Sequence, residues 1–324
     1  MTLRIIFSGT PAFAVPSLER LLKERDFQIV GVVTQPDRPR GRGQQMHSAP
    51  VKDAAIAAGI PVYQPERIKS EEACEYFKRL APDAVVIIAY GQIISPRLIK
   101  IPRLGWINLH ASLLPKYRGA APINWAIVNG ETRTGVTTMQ IDAGLDTGPI
   151  LLTREIEIAP DETAPALAAR LAVAGAPLIS ETLTKLERGE IAPTPQDGSQ
   201  ATVARPLQKT DGRIDWSLSA HRIYNRIRGF DPWPGTYTSF RGKRCDIWGK
   251  AASEEDLGAN FTLAPSREAS APGAIFVVGD EIFATCGAGT YLRIEFVRVE
   301  GRKRVTAHEF ANGARLLPNE RFGA

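Results

Sequence analysis

Cysteine is scarce in this chain. Three occur in 324 residues, at Cys74, Cys245 and Cys286. They form no Cys-x-x-Cys pair and no even-numbered framework, which excludes a disulfide-stapled fold and fits a reducing, cytoplasmic setting. Histidine is nearly as rare, with four in total. No Cys, His and Asp cluster has metal-ligand spacing, so no metal is expected. No apolar run approaches the length that crosses a bilayer, and no membrane partner is expected. The opening Met1-Thr2-Leu3-Arg4-Ile5-Ile6-Phe7 has no basic stretch ahead of a small-residue cleavage site, so no signal peptide is read. No Gly-x-Gly-x-x-Gly follows the first apolar run, which argues against a nicotinamide-dependent oxidoreductase. No Gly-x-Ser-x-Gly elbow occurs, so no covalent intermediate is expected. Internal repeats and low-complexity tracts are also absent.

What remains is an ordinary globular composition, 44% hydrophobic and 23% charged. The length exceeds what one core usually fills, so two domains are expected. The formal net charge of +5 is a mild excess, informative only where the charges cluster. Leu3–Ser8, Gln28–Thr34, Ala84–Ala89 and Trp106–His110 are short apolar runs. Helix-like stretches lie between them: Val15–Glu24, Val51–Ala58 behind Pro50, and Glu71–Leu80. This alternation predicts a Rossmann-like, doubly wound parallel sheet. Such sheets bind ligands at the carboxyl ends of their strands, where Gly9, Gly91 and His110 fall. Pro160–Arg188 reads as helix interrupted at Pro165 and Pro177. The Pro-rich stretch 190–208 reads as a linker. Beyond it come a helix, Leu218–Ile227, and strands at Thr236–Phe240, Arg244–Trp248, Gly273–Val278, Glu281–Thr285 and Tyr291–Val299. Short strands broken by Gly and Pro predict a small barrel or sandwich. The expected division is 1–189, 190–208 and 209–324.

Two segments carry chemistry. In Asn108-Leu109-His110-Ala111-Ser112-Leu113-Leu114-Pro115-Lys116-Tyr117-Arg118-Gly119, Asn108 and His110 stand two apart on a strand and point to one side. One can donate a hydrogen bond while the other accepts a proton. In Asp142-Ala143-Gly144-Leu145-Asp146-Thr147-Gly148-Pro149, the glycines allow a tight loop, and Asp142 or Asp146 can orient a histidine.

Together these segments resemble the formyltransferase family that uses 10-formyltetrahydrofolate, whose hallmark is Asn-x-His followed by Ser-Leu-Leu-Pro, with an Asp in a later loop. The resemblance implies that Asn108, His110 and Asp146 are catalytic. It also implies that Ser112, Leu113, Leu114 and Pro115 border the folate, with Ala89, Tyr90 and Gly91 in the pterin pocket. Formyl transfer suits the set: an amide for the developing oxyanion, a base for the amine proton, a carboxylate to orient the base.

Three further features resemble the methionyl-tRNA branch of that family. Gly9-Thr10-Pro11-x-Phe13 follows the first strand. The stretch Gln35–Gln45 has no apolar side chain except proline and holds Arg38, Arg40 and Arg42, all expected to bind tRNA, with Arg42 assigned by the resemblance to its acceptor end. It reads as an exposed, mobile loop. Asp215-Trp216-Ser217 and Phe230-Asp231-Pro232-Trp233-Pro234-Gly235 match the family's second domain, an OB-like barrel. Past residue 208 there are 17 Lys or Arg against 14 Asp or Glu. That excess is small, but Arg222, Arg226 and Arg228 share a helix, and Arg241, Lys243, Arg244 and Arg302, Lys303, Arg304 crowd two turns. Trp216 and Trp233 could stack bases, though core positions are favoured. Residues 251–271 receive no function. The expected partners are charged initiator tRNA and tetrahydrofolate, and the chain is expected to be monomeric.

The nearest rival is a folate formyltransferase with a nucleotide-sugar acceptor, against which the Arg38–Arg42 loop speaks. Glycinamide ribonucleotide formylation needs no basic second domain. A non-catalytic RNA-binding protein leaves Asn108, His110 and Asp146 unexplained.

Overall fold

The computed structural model describes residues 2–40, 45–257, 271–317 and 319–323, with backbone alone for Arg40, Gln45, Glu254 and Glu255. Arg42 and most of the 251–271 stretch lie outside the described residues. The chain divides into two compact units. The first comprises Met1–Ile123, Arg133–Ile158 and Ala166–Arg205; the second comprises Asn124–Thr132, Ala159–Pro165 and Pro206–Ala324.

Residues 1–205 carry strands β1 (Leu3–Gly9), β2 (Phe27–Val33), β3 (Arg38–Arg40), β4 (Gln45–His47), β5 (Val62–Tyr63), β6 (Ala84–Ile88), β7 (Trp106–His110), β8 (Arg118–Gly119), β9 (Arg133–Gln140), β10 (Ile150–Glu157) and β11 (Val203–Ala204). Their helices are α1 (Val15–Lys23), α2 (Pro50–Ala57), α3 (Glu71–Leu80), α4 (Pro96–Ile99), α5 (Pro122–Val128) and α6 (Ala164–Glu187). A seven-stranded sheet runs in the order β10-β9-β7-β6-β1-β2-β5. The five strands from β7 to β5 are parallel, whereas β9 and β10 are antiparallel additions at one edge. The sheet is therefore mixed, where a wholly parallel one was expected. The two extra strands escape a search for apolar runs because β9 is Thr-rich and β10 alternates half-buried and exposed residues from Leu152 on.

Alternation along the strands assigns the helices to both faces. Ile6, Val85, Ile87 and Trp106 pack against Cys74 and Phe77 of α3 and Leu98 of α4. Each such buried side chain contributes about 1.5–3 kcal/mol. Leu109 points the other way and meets α6 so closely that a Cβ on Gly175 would lie 2.4 Å from Leu109 Cδ2. Helix α3 starts where Ser70 Oγ accepts the Ala73 N–H at 3.2 Å, with acidic residues in its first turn and basic residues in its last. Helix α6 is one 24-residue element with Pro177 inside it, not the broken pieces expected. Pro165 occupies its first turn, where a missing N–H does no harm. Pro177 removes the N–H that would bond the carbonyl of Val173, a residue 67% exposed. Contrary to the sequence expectation, α6 is long and apolar enough to cross a membrane, yet 56% of its most apolar window is buried within the protein.

The stretch expected to be a linker belongs largely to the first unit, through Arg205. Its β11 pairs in parallel with β8, and Thr194 bridges Ile150 of β10.

The second unit carries β12 (Tyr237–Phe240), β13 (Lys243–Ala251), β14 (Ile275–Val278), β15 (Glu281–Thr285), β16 (Tyr291–Val299) and β17 (Val305–Thr306), with α7 (Ala220–Gly229), α8 (Glu254–Leu257) and α9 (Ala307–Ala314). Its sheet is antiparallel, in the order β12-β13-β16-β15-β14, with β17 beside β16. Ile223 and Ile227 of α7 and Phe310 of α9 close the core over Phe240, Ile247, Leu292 and Val297. Trp216 is in that core, stacked on Phe322 with centroids 5.6 Å apart and donating Nε1–H to Thr238. Trp233 is not: it is 50% exposed, which corrects the expectation of a core residue.

Candidate active site

His110 ends β7, beside Asn108 on the same side of the strand, and both are buried. The ring Nε2 lies 2.9 Å from the Tyr117 carbonyl. A carbonyl only accepts, so this nitrogen carries the hydrogen and Nδ1 keeps the lone pair of the neutral ring. Nδ1 faces Asp146 Oδ2 at 3.6 Å. The same oxygen accepts the Gly119 N–H at 2.8 Å. A proton arriving on Nδ1 therefore lands beside a carboxylate, and the positive ring finds an acceptor on each side. Asn108 makes no side-chain hydrogen bond to any described residue, which leaves its carboxamide available.

The aspartates of the glycine loop separate by role. Asp142 Oδ1 accepts from the Gly144 N–H at 2.9 Å and the Thr147 hydroxyl at 2.8 Å, closing a local turn. Asp146, at φ 51°, faces the histidine. Gly148 anchors the loop against β9, since a Cβ there would lie 1.8 Å from the Gln140 carbonyl oxygen.

The Ser-Leu-Leu-Pro turn is braced from β9. Thr137 Oγ1 donates to the Ser112 carbonyl at 2.7 Å and accepts the Leu114 N–H at 3.2 Å. The Ser112 hydroxyl donates to Lys116 O at 2.6 Å, so it serves the turn itself. Leu114 is buried, and Leu113 and Pro115 keep partly exposed faces.

Tyr90 and Gly91 lie elsewhere at the strand ends, on a cavity of about 630 Å³ that Thr10, Gln35, Arg38 and Gln92 also line. The Tyr90 ring is buried in the core, and the carbonyl of that residue accepts from Gln35 Nε2 at 3.0 Å. Ala89, exposed at φ 48°, is not on the cavity wall, nor are Ser112 to Pro115. The cavity thus brings together residues expected to hold folate and one expected to touch RNA.

The described part of the arginine stretch is a two-stranded ribbon, not a structureless loop. Arg38, Pro39 and Arg40 pair with His47, Met46 and Gln45. Asp37 roots the ribbon: it bonds Lys52, and Gln64 Nε2 donates to it at 3.0 Å. Those two bonds, Lys52 first, hold its carboxyl below the usual carboxylate range. The backbone pairing that orders the ribbon is invisible to side-chain composition.

Not all the arginines grouped by sequence are available to a phosphate. Arg228 is buried, donating to Asn225 Oδ1 and the Glu162 carbonyl. Arg241 pairs with Glu320, and Arg244 with Asp246. Lys243, Arg302 and Lys303 line a second cavity, of about 430 Å³, over Phe240 and Phe310. Arg304 stacks on Phe296 at 4.0 Å and Trp248 at 4.4 Å.

Sequence reasoning missed Gln196, Thr202 and Thr137, which support this site from outside both motifs. No local pattern marks them, because their partners lie tens of residues away.

Residues 1–183 match the formyl transferase family, and residues 206–315 match the formyl transferase C-terminal domain. The methionyl-tRNA formyltransferase of Solibacter usitatus is 52% identical over 321 residues, covering 99% of each chain. That of Geobacter metallireducens is 48% identical, again with 99% of each chain covered. The fold is shared with the sugar 3N-formyl transferase WlaRD, solved in the presence of dTDP and 5-N-formyl-THF. Its TM-score is 0.66 at 19% identity, over 94% of this chain and 100% of that one. HypX from Aquifex aeolicus, solved with tetrahydrofolic acid, gives a TM-score of 0.60 at 18% identity over 97% of this chain and 48% of its own.

Proposed function

The chain belongs to the methionyl-tRNA formyltransferases, and on that footing we propose which of its side chains perform the transfer. The reaction moves the formyl group of 10-formyltetrahydrofolate to the free amino group of methionine charged on initiator tRNA, giving N-formylmethionyl-tRNA for translation initiation.

The amine attacks the formyl carbon, and negative charge develops on the formyl oxygen. Asn108 donates its free amide N–H to that oxygen; one such donor contributes roughly 3 kcal/mol. His110 takes the amine proton on Nδ1, the nitrogen left with a lone pair by the Tyr117 bond. Asp146 faces the resulting imidazolium and holds the ring in place. The imidazolium then returns the proton to the departing nitrogen, so the enzyme ends as it began.

Ser112 to Pro115 and Ala89 to Gly91 border the donor in this reading. The cavity at Tyr90 and Gly91 is of a size usual for such ligands, about 300–1,000 Å³. Its lining includes Gln35 and Gln92, whose carboxamides are bonded to each other, and that of Gln35 to the Tyr90 carbonyl, and so fix the shape of the wall. Arg38, Arg40 and Arg42 take the acceptor end of the tRNA. The antiparallel second unit, read as an OB-like barrel, takes more of its phosphate backbone through Lys243, Arg302 and Lys303. The enzyme is read as a cytoplasmic monomer with residues 1–189 catalytic and 209–324 RNA-binding.

The observation that carries the assignment is the placing of His110 between a carbonyl and a carboxylate. The test is formylation of charged initiator tRNA by His110→Ala and Asn108→Ala. Each should lower turnover at least 10²-fold in folded protein, and full activity in either removes its assigned role.

A further inference from the structure

The segment that leaves the first unit returns to touch both partners of His110. Gln196 is half-buried, whereas residues 192–195 and 197–200 are exposed. Its Nε2 donates to the carbonyls of Asp146 and Gly148, at 2.8 and 2.7 Å. Its Oε1 accepts Nε and Nη2 of Arg118, at 3.0 and 2.7 Å. Arginine only donates and carbonyls only accept, so the carboxamide has one orientation and all its hydrogen-bonding capacity is used. Six residues on, Thr202 Oγ1 accepts the Tyr117 N–H at 2.8 Å. Its carbonyl accepts the Arg118 N–H at 2.8 Å. Gly119, donor to the Asp146 carboxylate, pairs with Ala204 of the same segment. The Asp146 backbone and the Tyr117 backbone, on opposite sides of the imidazole, are thus pinned from one piece of chain.

We propose that Gln196 is a positioning residue for formyl transfer, holding the Asp146 loop against His110, with Arg118 locking its amide and Thr202 steadying the Tyr117 side. This rests on the reading of His110 and Asp146 given above. The stretch from 194 to 204 is then catalytic scaffolding as well as the route to the second unit. A group that sets the distance between a base and its carboxylate acts on turnover more than on donor affinity, and displacements of about 1 Å far from the chemistry can cost on the order of 10²-fold.

The test uses the full chain with 10-formyltetrahydrofolate and charged initiator tRNA. Gln196→Met keeps the length of the side chain and removes all four hydrogen bonds, and Gln196→Ala is made beside it in case either fails to fold. The expected result is a turnover lower by about 10- to 10²-fold, with KM for the donor within about threefold of wild type. Combined with Asp146→Asn, Gln196→Met should add little, because both act on one contact. Three results overturn the proposal: wild-type turnover in a folded Gln196 variant, a lowered melting temperature with turnover of the folded protein intact, or effects that multiply in the double variant. If Asp146→Asn is itself fully active, the reading beneath the proposal fails and takes it along. If Asp146→Asn is impaired while Gln196→Met is not, the positioning role alone falls.

Discussion

Gly119 and Ala204 approach so closely that a Cβ on Gly119 would lie 2.7 Å from the Ala204 carbonyl oxygen. Gly119 also sits at φ 118°, a conformation that L side chains rarely adopt. Its N–H is the donor to Asp146 Oδ2.

Gly119→Ala should therefore injure stability and turnover together. Strain of this kind costs about 1–3 kcal/mol, and relief by moving β8 displaces the Asp146 donor. Urea titration should show the loss, and formylation should fall at least tenfold. A variant as stable and active as wild type would show that β8 and β11 tolerate separation.

The two tryptophans of the second unit should behave oppositely. Trp216→Ala empties a stacked, hydrogen-bonded core site and should cost about 3–5 kcal/mol. Trp233→Ala removes a half-exposed ring and should cost far less, while weakening tRNA binding if that ring stacks on a base. Thermal melts with tRNA-binding titrations separate the cases. Equal destabilisation by both would contradict their difference in burial.

Alkaline pH should loosen the second unit. Burial pushes the Cys245 and Cys286 thiols up to about 12, against about 8.5 in an unfolded chain. Their folded pKa is raised, so the stability they contribute is full below about 8.5 and is lost as pH rises towards 12. The loss is about 1.4 kcal/mol per pH unit for each thiol. Urea unfolding at pH 8 and pH 10 measures it, and replacing both cysteines with Ala should flatten the dependence. An unchanged slope in that variant would assign the effect to other groups.

Arg42 should act on the RNA and not on the donor. Arg42→Ala should depress formylation of charged initiator tRNA while binding of 5-formyltetrahydrofolate stays near wild type; Arg38 lines the donor cavity, so Arg38→Ala should weaken both. On the reading that Arg42 meets the tRNA acceptor end, strengthening the first acceptor base pair should hurt wild type more than the Arg42 variant. Steady-state rates for the four enzyme–tRNA combinations decide. Effects that simply multiply would mean that Arg42 does not read the acceptor end.

Local signals carried much of this protein into view. Glu71–Leu80 is bounded exactly where Ser70 and its charged turns place it, because capping acts within four residues. The Trp106–His110 strand and the pairing of Asn108 with His110 on one side follow from apolar run and period. The motif spacing likewise singled out His110 and left Asp142 and Asp146 as candidates to orient it. The residue types alone left that choice open and the family resemblance favoured Asp146; its Oδ2 lies 3.6 Å from Nδ1 because of the way a distant loop folds back towards the ring, which no local pattern sets. Only the fold could show that Pro177 is carried inside α6, where burial along a long helix offsets one lost hydrogen bond. The same holds for Arg228, a basic residue by sequence and a buried clamp in the structure. Gln196 is the clearest case. Nothing in Pro195-Gln196-Asp197 distinguishes it from a linker glutamine, because Asp146, Gly148 and Arg118 lie 48 to 78 residues away and meet it only when the chain has folded back on itself. Sequence specifies what is close along the chain; contacts between distant segments depend on register and packing that no short window contains.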